Sequence, residues 1–183
     1  NINMPNIVIQ IHNIGPRLMY TIGRDNELIN LDGLNIKQGD IIIFCFGEID
    51  CRCHVWKFKK LGYKMVIDDL VDKYFISISK NIANLKNVKI CVYNVVPPVK
   101  REEHIHNEIH DFPFLGMNQE RKIYVNYMNK KLDEKCQENE YLFFNVYNDY
   151  CDDVGYLNYR LSDKNVHIGN PIHMISFINN NLL

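Results

Sequence analysis

An α/β domain built on a parallel sheet is what this sequence predicts, and three observations carry that expectation. Strand-like and helix-like segments alternate along the chain. The run from Asp40 to Phe46 is dominated by β-branched and aromatic residues and is unbroken in its apolar character from Ile41, as a strand covered on both faces requires. Further on, Ile67, Leu70, Val71, Tyr74, Ile78 and Ile82 fall on one helical stripe.

The elements follow in chain order. Ile7-Val8-Ile9-Gln10-Ile11 has the composition of a strand, and Asp40 to Phe46 is the strongest one. The helix carrying the Ile67–Ile82 stripe has Asp68 and Asp69 early, where carboxylates oppose the positive helix end. Lys89-Ile90-Cys91-Val92-Tyr93 is the next strand. Val95 to Met117 contains Pro97, Pro98 and Pro113 and no periodicity, so it reads as a long surface loop of the kind that often carries function. Asn118 is the expected cap of a second helix, whose face holds Ile123, Met128, Leu132 and Cys136. Tyr141-Leu142-Phe143-Phe144 is a further strand. Asn170-Pro171 then opens a last helix, with the proline at its first position and Ile172, Ile175 and Ile178 on its apolar side.

At 183 residues the chain suits one domain with a full core and is short for two. Its 21 basic and 22 acidic side chains nearly cancel, which argues against a nucleic-acid partner. The longest apolar run, Ile41 to Phe46, is far too short to cross a bilayer, and no stretch has the order of a signal peptide; no membrane partner is expected. The six cysteines read as reduced thiols of a cytoplasmic protein, since a domain of this size needs no disulfide staples.

In open parallel sheets ligands bind beyond the carboxyl ends of the strands. Gly47-Glu48-Ile49-Asp50-Cys51-Arg52-Cys53-His54 lies there, directly after the strongest strand. It is read either as polar groups aimed at a ligand, or as an Asp capping the next helix and an Arg paired with Glu48. Cys51, Cys53 and His54 do not have zinc spacing. His104, His106 and His110, with Glu102, Glu103 and Glu108, read as a solvated loop, so neither a metal nor another cofactor is expected. Late in the chain, Asp163 precedes His167 by four residues, and such an Asp can orient an imidazole and stabilise its charge.

Together these segments resemble the SGNH (GDSL-type) hydrolase superfamily, and within it a set of proteins carrying Gly-Glu-Ile-Asp-Cys-Arg-Cys-His. Ile14-Gly15-Pro16 and Ser162-Asp163-Lys164-Asn165-Val166-His167 fit the same set. The resemblance implies a single domain over 1–183 with a flavodoxin-like three-layer α/β/α fold. It also implies a serine acyl-ester hydrolase acting on a small-molecule or carbohydrate ester. His167 would be the general base and Asp163 its orienting partner. Gly15 would help to hold the oxyanion, and Gly47 and Asp50 would match the block after the central strand. Glu48, Arg52 and His54 complete the expected substrate-binding set, with Asp50 holding Arg52.

Three departures accompany this. No serine sits in a Gly-Asp-Ser turn: the four serines are Ser77, Ser79, Ser162 and Ser176. The expectation is that the first strand and its nucleophile lie upstream of Asn1; the other account makes Ile7–Ile11 the first strand of a non-hydrolytic relative. Ile49 stands where the family has an oxyanion-hole Asn, a loss of about 10²–10³ in rate. The last motif has one extra residue between Asp and His. A non-catalytic carbohydrate- or partner-binding module, and a sugar O-acyltransferase, are the alternatives.

Overall fold

A computed structural model describes residues 8–24, 29, 31, 33–103 and 112–182. Three strands, β1 (Ile41–Phe44), β2 (Lys89–Tyr93) and β3 (Leu142–Phe144), form an open, all-parallel sheet in the order β1-β2-β3. The helices are α1 (Met19–Arg24), α2 (Val55–Lys57), α3 (Tyr63–Ile82), α4 (Asn118–Glu138) and α5 (Ile172–Asn181).

The period-two alternation of strand side chains decides the layering. Ile42, Phe44, Ile90, Val92 and Phe143 face a core shared with Met19 and Ile22 of α1, with Ile67, Leu70, Tyr74 and Ile78 of α3, and with Met128 and Leu132 of α4. Ile41, Cys91, Tyr93 and Phe144 face the opposite way, onto Met174, Phe177 and Ile178 of α5. The result is the expected α/β/α arrangement, with β2 central and buried from Ile90 onwards.

Local chemistry fixes the joints. The N–H of Asn94, just past β2, donates to the Phe144 carbonyl, and the Asn94 side chain accepts the Val146 N–H at 2.9 Å. Asn129 of α4 brackets Val95, accepting its N–H at 2.7 Å and donating to its carbonyl at 2.9 Å. These bonds satisfy buried backbone where the strand leaves the sheet. The Tyr150 hydroxyl donates to the Asn170 carbonyl at 2.8 Å and so seats the start of α5.

Several details differ from the sequence expectation. α3 starts at Tyr63, so Asp68 and Asp69 lie beyond its first turn. Val8 to Ile11 form no strand and lie exposed; Ile7 lies outside the described residues. High β-propensity does not make a strand without a neighbour to bond. The cap of α4 is Met117 rather than Asn118, because the Glu120 carboxylate reaches back to accept the Met117 N–H at 2.8 Å. Pro171 precedes α5 as its cap, with Asn170 accepting the Ile172 N–H at 3.1 Å. Among the described residues of Val95–Met117, Arg101–Glu103 form a short 3₁₀ turn.

All six cysteines are free thiols. Among the described residues no helix is long and apolar enough to cross a membrane.

Gly47, at the carboxyl end of β1, leaves no room for a side chain. Its φ is +112°, and a Cβ there would lie 2.7 Å from Val95 Cγ2 and 3.0 Å from Met128 Sδ. Gly47→Ala is expected to lower stability by about 2–4 kcal/mol, from backbone strain plus overpacking, read as a lower midpoint in urea denaturation.

Candidate functional site

After Gly47 the chain enters a π-helical turn, Asp50–His54, that leads into α2. All five side chains of the turn are buried, so each must find a partner in the protein.

Asp50, 0 % exposed, accepts the N–H of Met19 at 2.8 Å and that of Tyr20 at 3.1 Å. It therefore caps a helix, but the preceding one: its carboxylate meets the positive end of α1. Burial pushes its pKa up to about 7, against the lowering effect of those two bonds. Arg52 donates to both oxygens of Glu48, at 2.7 and 3.1 Å, and to the carbonyl of Phe112. Its own carbonyl accepts the Leu115 N–H at 3.1 Å. The expected Asp50–Arg52 pair is absent, because Asp50 is turned to α1 and Glu48, one helical turn away, takes the guanidinium.

His54 stacks on Tyr20, ring centroids 4.2 Å apart, and lies 4.8 Å from Phe58. Burial, with the positive charges of Lys57 and Arg24, lowers its pKa to about 4, so the ring is neutral. Cys51 points its thiol at Met128 Sδ, 3.6 Å away, and Cys53 donates to the Ile49 carbonyl at 3.2 Å. Burial raises both thiols, which makes them poor nucleophiles.

A second cluster escaped the sequence reading. Arg121, almost fully buried in α4, donates to the carbonyls of Leu115 and Gly116 and to the Asn118 side chain. Phe114 lies 5.3 Å from the Arg52 guanidinium and 5.2 Å from that of Arg121. Two buried cations thus hold one aromatic ring and the 112–116 loop. The only sequence signal was the spacing of Arg121 from Asn118 within a first helical turn.

The late motif forms as a dyad. Asp163 Oδ2 lies 2.9 Å from His167 Nδ1. Asp163 Oδ1 accepts the Asn165 N–H at 2.7 Å and the His167 N–H at 3.2 Å. The extra residue between Asp and His is absorbed by a closed turn, in which Asp163 N–H donates to the His167 carbonyl and Lys164 has a φ of +65°. Burial opposes ionisation of Asp163, yet the bonds from His167 and Asn165 outweigh it and hold the carboxyl below its ordinary range. The imidazole is 68 % exposed, and among the described residues its Nε2 has no hydrogen-bond partner.

The structure brings together Glu48 with Arg52, Asp50 with α1, His54 with Tyr20, and Asp163 with His167. The bonds of the Gly47–His54 segment run to 19–20, to 112–115 and to Met128 of α4; those of the dyad stay within its own turn. Gly15, exposed with a φ of +80°, donates its N–H to Asn13 Oδ1 at 2.8 Å. The four serines are placed elsewhere. Ser77 is buried in α3, Ser79 meets the Tyr141 hydroxyl at 3.3 Å, and Ser176 meets Asn180. Ser162 donates to the Tyr159 carbonyl at 2.9 Å and accepts the Lys164 N–H. The histidines at 104, 106 and 110, with Glu108, lie outside the described residues; among those described, no acidic, His and Cys side chains form a metal-ligand cluster. No protein-family model matches the chain, and no curated protein matches it significantly.

The two buried titrating groups pull stability in opposite directions. Asp50 has a raised folded pKa, so its contribution is full below its ordinary 3.8 and is lost as pH rises through about 7. His54 has a lowered one, so its contribution is full above its ordinary 6.5 and is lost as pH falls towards about 4. Denaturation midpoints of His54→Phe should therefore rise with acidification across that window, and those of Asp50→Asn should fall, while the parent changes less than either. Parallel curves for all three proteins would contradict these assignments.

Proposed function

We propose that this chain belongs to an SGNH-type serine acyl-ester hydrolase in which Asp163 and His167 are the acid–base pair. The observation that carries the reading is the dyad itself: Asp163 fixes Nδ1 at 2.9 Å while the ring stands open to solvent on an ordered turn. A hydroxyl delivered to Nε2 would lose its proton there and attack the ester carbonyl. Asp163 would keep the tautomer and stabilise the imidazolium, which then protonates the departing alcohol. Water would repeat the sequence to release the acid. Acylated carbohydrate is the substrate class that the resemblance suggests.

The reading requires a nucleophilic serine outside these 183 residues, since none of the four present reaches the imidazole. The sheet has room for the strand that would carry it. β1 has one strand partner among the described residues, and Ile43 on it is exposed. If the acceptor is a sugar hydroxyl instead of water, the same groups perform O-acyl transfer.

A non-catalytic binding module on the same fold is the second reading. It is favoured by the engagement of Asp50, Arg52 and His54 in packing and by Ile49, which cannot donate to an oxyanion.

Aryl-acetate hydrolysis separates the two. The 183-residue chain should show no turnover above buffer. The protein extended at its amino end as the gene encodes it should hydrolyse the ester, and Asp163→Asn should lower its kcat by about 10³–10⁴. His167→Ala should abolish it. Turnover that survives His167→Ala, or no turnover in the extended protein, would remove the esterase reading.

A further inference from the structure

We propose that Lys57–Met65 is a docking surface for membranes containing anionic phospholipid. The proposal does not depend on the esterase reading. No acidic residue occurs between Asp50 and Asp68, in a chain whose net charge is −1. Within that gap stand Lys57, Lys59, Lys60 and Lys64, all exposed. Lys59 pairs with Glu120 at 3.1 Å. Lys57, Lys60 and Lys64 have no carboxylate partner among the described residues, and Lys64 lies over the Tyr127 ring at 5.7 Å. The nearest acids on α3 are engaged further along: Asp68 with Tyr127 and Lys131, Asp69 with Lys73.

Between these cations stand three large apolar side chains open to water: Phe58 at 43 %, Leu61 at 60 % and Met65 at 61 %. Phe58, Leu61 and Met65 repeat at three then four residues, as do Lys57, Lys60 and Lys64 one position earlier. The backbone is ordered throughout, from α2 through a 3₁₀ turn at Lys59–Leu61 and Gly62, with a φ of +88°, into α3. A segment without acids of its own, whose one carboxylate neighbour among the described residues is the Glu120 that pairs with Lys59, and which alternates ammonium groups with exposed apolar groups, fits the boundary of a bilayer. The lysines reach phosphate and carboxylate headgroups, their stems and the apolar tips reach the acyl boundary, and the two signals act together. A nucleic acid would satisfy the lysines but leave Leu61 and Met65 in water.

The test is co-sedimentation with vesicles of phosphatidylcholine, with and without phosphatidylserine. The full chain should pellet with the phosphatidylserine vesicles only, and added salt should weaken this. Lys57→Glu/Lys60→Glu/Lys64→Glu should abolish the binding. Leu61→Ser/Met65→Ser should weaken it at least about tenfold, with unchanged circular dichroism. No pelleting with phosphatidylserine vesicles, or equal pelleting with both kinds, would overturn the proposal. So would undiminished binding of Leu61→Ser/Met65→Ser, which would mark a surface for polyanions such as RNA.

Discussion

One buried carboxylate organises the end of the sheet where a ligand would bind. Asp50 follows β1 closely, has no contact with water, and accepts two N–H groups from the first turn of α1. A carboxylate in that setting is destabilising unless the donors are in place, so the interaction works as a constraint on geometry more than as a source of stability. It ties a six-residue helix, too short to persist alone, to a point about thirty residues away in sequence. Gly23 completes the fit, since a Cβ there would lie 2.7 Å from Lys73 Cβ of α3.

From Asp50 the order spreads along the turn. A π-helical turn buries five successive side chains, four of which reach other parts of the fold. Asp50 goes to α1, Cys51 to α4, Arg52 to the 112–115 segment and His54 to Tyr20. The eight-residue motif that draws the eye as chemistry is, in its contacts, a hub that joins three parts of the fold. The Asp163–His167 pair is built on another principle: a self-contained turn that presents an open imidazole.

What the sequence made legible was local. Lys89–Tyr93 is a strand to the residue, and the Ile67–Ile82 stripe lies on α3, because both patterns are set by period and burial. The Asp163–His167 contact was legible because four residues of a turn suffice to make it. Long-range partners were not legible. Met19–Arg24 has no helical periodicity to announce it, and its cap comes from Asp50. Arg121 reads as a surface residue until its carbonyl and aromatic partners are known. Val8–Ile11 shows the converse: favourable composition without a bonded neighbour leaves exposed chain.

The all-parallel sheet also governs how the chain reaches this state. No two of its strands can meet through a hairpin, because each pairing must wait for an intervening helix to close a long loop. α3 and α4 carry local contacts and can form early; the strand ladder cannot. The apolar run of β1 stays unpaired until the loop to β2 has closed. At high protein concentration that unpaired run is open to other chains, so recovery on refolding is expected to rise with dilution.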